Sequence, residues 1–280
     1  MTQKPVRNES RTPEQLREHY EIEKELASRL RDASRQERRH LYSSVYDELY
    51  RRVTHHPQLT RKTSPEQRAA AVSKQMNILS RFLDKECTFL EVGPGDCALS
   101  LEVSKLAKQV YSVDVSDEIT KGLTPPQNFR LILSDGCSIP VPPNSVNVAY
   151  SNQLMEHLHP DDAFEQLQNI YHALIPGGVY ICITPNRLGG PHDISKHFDT
   201  VATGFHLKEY TVSELSHSFQ QVGFSKVSIA GAKGIWTNIP VFPAVLCERL
   251  LCALPYSFRK SIAGSLPFPV LLVIRLIGIK

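Results

Sequence analysis

Residues 88–114 hold the feature that most limits what this chain can fold into. Phe89-Leu90-Glu91-Val92 is an apolar run that passes directly into Gly93-Pro94-Gly95-Asp96, and Ala98–Ala107 then reads as a helix. A second apolar run, Val110-Tyr111-Ser112-Val113, ends on Asp114. Strand, tight turn, helix and strand in that order make a βαβ unit, the crossover that parallel strands require. The two glycines let the backbone turn sharply and let a ligand approach it. Asp114 lies 21 residues after Gly93, where a carboxylate accepts both hydroxyl protons of a ribose. Val115 follows it into the same strand end.

The alternation continues downstream. Phe129–Leu133, Val146–Tyr150, Val179–Thr184, Phe224–Ala230 and Val270–Ile279 are short apolar runs, with helical stretches at Pro160–Ala173 and Thr211–Val222. This predicts an α/β layered fold with a mostly parallel central sheet. Hydrophobic residues at 41% and charged residues at 22% suit a globular chain and exclude a fibre or global disorder.

The front of the chain is different. Residues 13–52 contain no glycine and read as one long helix starting after Thr12-Pro13-Glu14, with His55-His56-Pro57 as its stop. Ser64-Pro65-Glu66 starts the next helix. Tyr42, Tyr46 and Tyr50 recur every fourth residue on one helix face. That stripe reads either as core or, at Tyr46, as part of a lid over a ligand. The domain division is thus a helical extension or lid at 1–63 and a body at 64–280, with an apolar helical insertion at 235–264. The insertion carries Phe242, Leu246 and Leu250 beside Arg249. Its apolar face suits a peripheral lipid contact through 240–260, a cap on a pocket, or a dimer contact.

Charge and cysteine usage narrow the partners. Residues 1–86 carry 18 Lys and Arg against 13 Asp and Glu, within a whole-chain net charge of +3. Arg35–Arg39 lacks interleaved aromatics and reads as a solvated face, so no nucleic-acid partner is expected. The first thirty residues hold no apolar signal core, and no run reaches the ~20 apolar residues of a membrane span. The six cysteines form no C-x-x-C pair. Reduced thiols, no metal centre and a cytoplasmic location are expected.

Gly93–Ala98 fits G-x-G-x-x-A, so a dinucleotide reading is open at this point. Glu91, two residues before the first glycine, and Asp96 inside the turn are poorly placed for a diphosphate. Another strand closes on an acid at Ser134-Asp135-Gly136. Asn152 and Gln153 end the following apolar run, and Glu156-His157-Leu158 comes next. Leu174-Ile175-Pro176-Gly177-Gly178 enters the run after that. Together these residues resemble the class I S-adenosylmethionine-dependent methyltransferases, in their small-molecule branch, over roughly residues 65–230 and the final strand. Cys97 stands where many members carry a third glycine.

The resemblance implies a Rossmann-like α/β/α sandwich whose seven-stranded sheet has an antiparallel last strand. It implies S-adenosyl-L-methionine as cofactor, held by Glu91, Gly93, Gly95, Asp114, Val115, Asp135, Gly136, Asn152 and Gln153. The expected activity is methyl transfer to an oxygen or nitrogen of a small metabolite or sugar, with His157 as the base. The long polar stretch Pro185–Glu209 supplies His192, Asp193, His197 and His206 as acceptor contacts, joined by Tyr46. The H-D-x-x-x-H spacing at 192–197 matches no zinc pattern. An NAD(P)-dependent oxidoreductase and a non-catalytic nucleoside-binding scaffold are the competing readings.

Overall fold

The computed structural model describes residues 11–60, 64–116, 120, 124–231, 238–256, 258, 259, 262 and 273–280. Eight strands form one sheet among them: β1 Thr88–Val92, β2 Gln109–Asp114, β3 Phe129–Leu133, β4 Val146–Asn152, β5 Leu174–Pro185, β6 Lys226–Ile229, β7 Ile239–Pro240 and β8 Val273–Ile279. Their order is β3-β2-β1-β4-β5-β8-β6-β7. The pairs from β3 to β5 are parallel, and β8 runs antiparallel between β5 and β6. The expected seven strands with a reversed last one are present. The additional β7 is a two-residue edge strand, with Ile239 opposite Ile229. Residues 270–272 of the expected last strand lie outside the described residues, as do parts of the 235–264 insertion.

The helices are α1 Pro13–Asp32, α2 Arg35–Arg52, α3 Pro57–Thr60, α4 Pro65–Leu79, α5 Ala98–Val103, α6 Pro160–Ala173, α7 Val212–Val222 and α8 Val241–Cys252. The single helix expected over 13–52 is two helices. Ser34 accepts from the Glu37 amide while Glu37 reaches back to the Ser34 amide, a capping box that starts α2 afresh. Thr12 with Gln15, Ser64 with Gln67, and Thr211 with Glu214 start α1, α4 and α7 in the same way. The helix expected over 98–107 ends at Val103.

A parallel sheet must be covered on both faces. Phe89, Val110, Val148, Tyr150 and Ile181 point to the face covered by α4 and α5. Leu90, Val92, Val113, Ala149, Tyr180 and Leu276 point to the other, where α6 and α7 pack. The β3–β4 connection, residues 134–145, forms no helix. The N-terminal helices contribute instead, with Leu26, Leu30, Tyr42, Val45 and Leu49 entering the same apolar cluster.

A buried ion pair fixes α2 there. Arg38 donates to both carboxylate oxygens of Asp162 on α6, at 2.6 and 2.8 Å, and to the Ala33 carbonyl at 2.7 Å. The Tyr42 hydroxyl donates to Asp162 at 2.6 Å and accepts from the His159 amide at 3.0 Å. Arg38 is 4% exposed and Asp162 0%. Burial alone would raise the Asp162 carboxyl, but the bonds from Arg38 and Tyr42 outweigh it and hold it below its ordinary 3.8. A carboxylate depressed on folding stabilises fully above its unfolded value, and that contribution is lost as pH falls through the folded value. Asp162→Asn is expected to destabilise the protein by about 3 kcal/mol at pH 7, because it leaves a buried guanidinium unpaired. The deficit should shrink as pH drops below the ordinary carboxyl range. Urea unfolding from pH 7 to pH 3 measures it; a deficit that does not change with pH would contradict the assignment.

Candidate active site

β1 delivers the chain to Gly93, whose amide donates to the Val113 carbonyl at 2.9 Å and so locks the turn to β2. Gly93 and Gly95 take φ of +70° and +56°, which side chains rarely allow. A Cβ on Gly93 would press on Leu154 at 3.0 Å, whereas one on Gly95 would meet nothing within 4 Å. The backbone at Gly95 therefore borders open space. Cys97, at the start of α5, is also left-handed at φ +57°. That geometry costs a non-glycine residue about 1 kcal/mol, and it explains why a glycine is the expected residue there.

The acids in phase with the turn have different surroundings. Glu91 is 5% exposed, and the Ser100 hydroxyl donates to it, itself bonded by Ser112 at 2.6 Å. Burial pushes Glu91 up to about 8. It faces α5 beneath the turn. Asp114 ends β2 with the amides of Val115, Gly95 and Ser116 directed at it, yet burial keeps its carboxyl above the ordinary value. Asp135 is already engaged. It accepts from the Ser138 and Cys137 amides at 2.7 and 3.0 Å and pairs with Arg39 of α2 at 3.2 Å. Burial opposes its ionisation, but those amides and Arg39 hold it low. Gly136, at φ +89°, lies under the Tyr42 ring. Asn152 ends β4, and Gln153 is exposed at φ +56°.

From Gln153 the chain enters a short 3-10 turn, Met155–His157. The His157 amide donates to the carbonyl of Leu154, the residue packed on Gly93. His157 Nδ1 lies 3.0 Å from the Tyr46 hydroxyl and 3.1 Å from the Phe205 carbonyl. A carbonyl only accepts, so Nδ1 carries the proton and Nε2 presents a lone pair. Burial pushes the His157 imidazole down to about 3, and it is neutral at pH 7. Its ring lies edge-on to His206, with centroids 4.9 Å apart. A cavity of about 90 Å³ opens beside them, lined by Glu23, Tyr46, Tyr50, His56, His157 and His206 among others. A larger groove of about 720 Å³ lies between α4 and α5, lined by Arg68, Val72, Met76 and Ala98. None of the strand-end groups just described lines it.

Of the four residues of the polar stretch expected to contact an acceptor, only His206 lines the 90 Å³ cavity, next to Phe205. His192 is used in tying the stretch together: its amide donates to Glu209 at 2.7 Å, and its Nε2 lies 2.9 Å from the Asn186 carbonyl. Asp193 caps the turn Ile194–His197 by accepting from the Ser195 amide. His197 ends that turn beside the Phe198 ring. Arg31 of α1 holds the carbonyls of Thr203 and Gly204, each at 2.9 Å, and Glu23 accepts from the Phe205 amide at 2.9 Å.

Sequence reasoning did not single out Glu23, His56 or Glu156 as site residues. Glu23 pairs with His19 one helical turn earlier at 2.8 Å, an i,i+4 spacing visible in the sequence. His56 was legible only as a helix stop, and Glu156 only as part of a motif.

Residues 90–182 match the family model described as a methyltransferase domain. A probable S-adenosylmethionine-dependent methyltransferase of Mycolicibacterium smegmatis is 30% identical over 137 residues, or 48% of this chain and 51% of that protein. The chain thus spans about half the length of the curated relative it matches. An S-adenosylmethionine-dependent methyltransferase structure from Archaeoglobus fulgidus matches 76% of this chain and 94% of its own, at a TM-score of 0.52 and 16% identity. Phosphoethanolamine N-methyltransferase 1 of Haemonchus contortus, solved with phosphoethanolamine and S-adenosylhomocysteine, matches 88% of this chain and 50% of its own, at a TM-score of 0.53 and 15% identity. The structural likenesses establish the fold, and the domain match replaces the nicotinamide reading of the glycine turn. Over residues 90–182 the chain is thus similar to the S-adenosylmethionine-dependent methyltransferases, and it shares their fold.

Proposed function

We propose that this protein transfers the methyl group of S-adenosyl-L-methionine to an oxygen or nitrogen of a small metabolite or sugar, held between α1–α2 and the end of β4. The observation that carries the reading is the path from Gly93 through Leu154 to His157. It joins the glycine turn to a buried, lone-pair-bearing imidazole over three residues. The open backbone at Gly95 and the carboxylate of Asp114 fit a nucleoside whose sulfonium end bears no phosphate. In this reading Gly93, Gly95, Glu91, Asp114, Val115, Asp135, Gly136, Asn152 and Gln153 hold the cofactor. S-adenosylmethionine supplies an activated methyl group, so the protein's contribution is chiefly proximity and orientation. His157, fixed by Phe205 and Tyr46, takes up or hydrogen-bonds the acceptor's proton through Nε2.

Asp114→Ala is expected to weaken S-adenosylhomocysteine binding 10- to 100-fold, on the order of 1.5–3 kcal/mol for hydrogen bonds to a charged group. His157→Ala should leave that affinity unchanged and lower turnover about 100-fold. Calorimetry with NAD as the parallel ligand, and S-adenosylhomocysteine formation across a panel of small amines and hydroxyl compounds, measure the two. Binding of NAD alone, or S-adenosylhomocysteine bound without turnover on any acceptor, would contradict the proposal; the latter is the scaffold reading.

A cavity of about 90 Å³ is well below the roughly 300 Å³ at which small-molecule sites begin. An acceptor therefore needs α1–α2 or the 186–210 stretch to move, which supports the reading of residues 1–63 as a lid on the 64–280 body. Hydrogen exchange at Tyr46–Tyr50 should slow when cofactor product and acceptor are both present. Unchanged exchange would argue for a fixed cover.

A peripheral lipid contact at 240–260 is also part of the proposal. Glu248 anchors α8 by accepting from Asn186, Val212 and Ser213. Phe242 and Leu250 on the outer side are 74% and 66% exposed, with Arg249 beside them. No described helix is long and apolar enough to cross a membrane. Phe242→Ser with Leu250→Ser should abolish cosedimentation with anionic vesicles; no sedimentation by the wild type would remove this contact. A cytoplasmic setting is supported by six free cysteines, Cys247 and Cys252 of them exposed.

A further inference from the structure

Glu156, His157 and His206 each place one donor atom within 4.8 Å of the other two. Each is also held from behind. His157 Nδ1 is engaged by the Phe205 carbonyl, and His206 Nδ1 lies 2.7 Å from the Glu209 carboxylate. Both imidazoles thus keep Nε2 for a ligand. Glu156 Oε2 accepts from the Thr184 hydroxyl at 2.9 Å. Its Oε1 has no partner, in a side chain that is 0% exposed.

An imidazole whose far nitrogen is fixed by a carbonyl or carboxylate is the usual setting of a metal-ligating histidine. A buried carboxylate oxygen without a donor is costly, and a cation would satisfy it. Two imidazoles and one carboxylate, with positions left open, suit a divalent first-row metal. The neighbouring His19–Glu23–His56 group lacks these features. Glu23 is already bonded at both oxygens, and the Arg11 guanidinium lies 2.6 Å from His19.

We infer that Glu156, His157 and His206 bind a divalent transition-metal cation to which the methyl acceptor presents an oxygen. The inference rests on the methyltransferase reading and narrows its acceptor to a hydroxyl compound. In the cation-bound protein His157 is a ligand, and the cation makes the hydroxyl more acidic, so that its proton leaves to water. The acceptor oxygen forms its bond to the methyl carbon as the carbon–sulfur bond breaks, and the electron pair stays on sulfur.

The test is calorimetric and paramagnetic-resonance titration of chelator-stripped full-length protein with Mn²⁺, and optical titration with Co²⁺. One equivalent should bind. Glu156→Gln and His206→Asn should each weaken binding at least tenfold, while His217→Asn, an exposed histidine, does not. Circular dichroism and S-adenosylhomocysteine affinity of His206→Asn should match the wild type. No binding beyond that of His206→Asn, or binding indifferent to both substitutions, would overturn the inference. If S-adenosylhomocysteine still binds in that case, the methyltransferase reading stands without the cation; if it does not, that reading fails as well.

Discussion

The Arg38–Asp162 pair is the contact on which the placing of the front helices against the strand ends depends. Its bidentate bonds at 2.6 and 2.8 Å hold α2 on α6, and the third donation, to Ala33, holds the end of α1 as well. With α2 fixed, Tyr42 lies on Gly136 and Arg39 reaches Asp135, so the same helix touches the third strand end. One turn further, Tyr46 meets His157. α1 then fixes the polar stretch through Arg31 and Glu23. A buried ion pair gives little net stability against a hydrophobic alternative, but its geometry is demanding. Here that demand sets which residues of the front helices face the strand ends.

The site divides into two electrostatic zones. At the glycine turn the acids sit among backbone amides, with Glu91 kept high by burial and Asp135 held low by its donors. Beyond β4 the groups are imidazoles, phenols and carboxylates packed against one another. Burial pushes His157 down to about 3, while His206 ends above its ordinary value because Glu209, Glu156 and Asp193 outweigh its desolvation. Two histidines 4.9 Å apart therefore carry opposite tendencies.

Much of the fold was legible because it is local. The strand–turn–helix–strand phase of residues 88–114, and the acids closing β2 and β3, come from spacing alone. The break between α1 and α2 was legible too, in Ser34 and Glu37, but the glycine-free composition of 13–52 masked it. The edge strand β7 was not, since two residues carry no periodicity. At the site, Tyr46, His157 and His206 were named from sequence and lie together. His192 and Asp193 were named with them, yet they serve the stretch that carries them. What brings Tyr46 to His157 is packing of α2 on a segment more than a hundred residues away, which no local pattern encodes.

In the proposed function, cofactor and acceptor meet between the glycine turn and His157. The most direct measurement uses S-adenosylmethionine bearing a trideuterated methyl group, incubated with the protein and a small-metabolite extract and followed by mass spectrometry. A small hydroxyl or amine compound should gain the labelled methyl only when the protein is present, and far more slowly with His157→Ala. Intact labelled cofactor alongside an unlabelled metabolite pool, from a protein that binds S-adenosylhomocysteine, would contradict it.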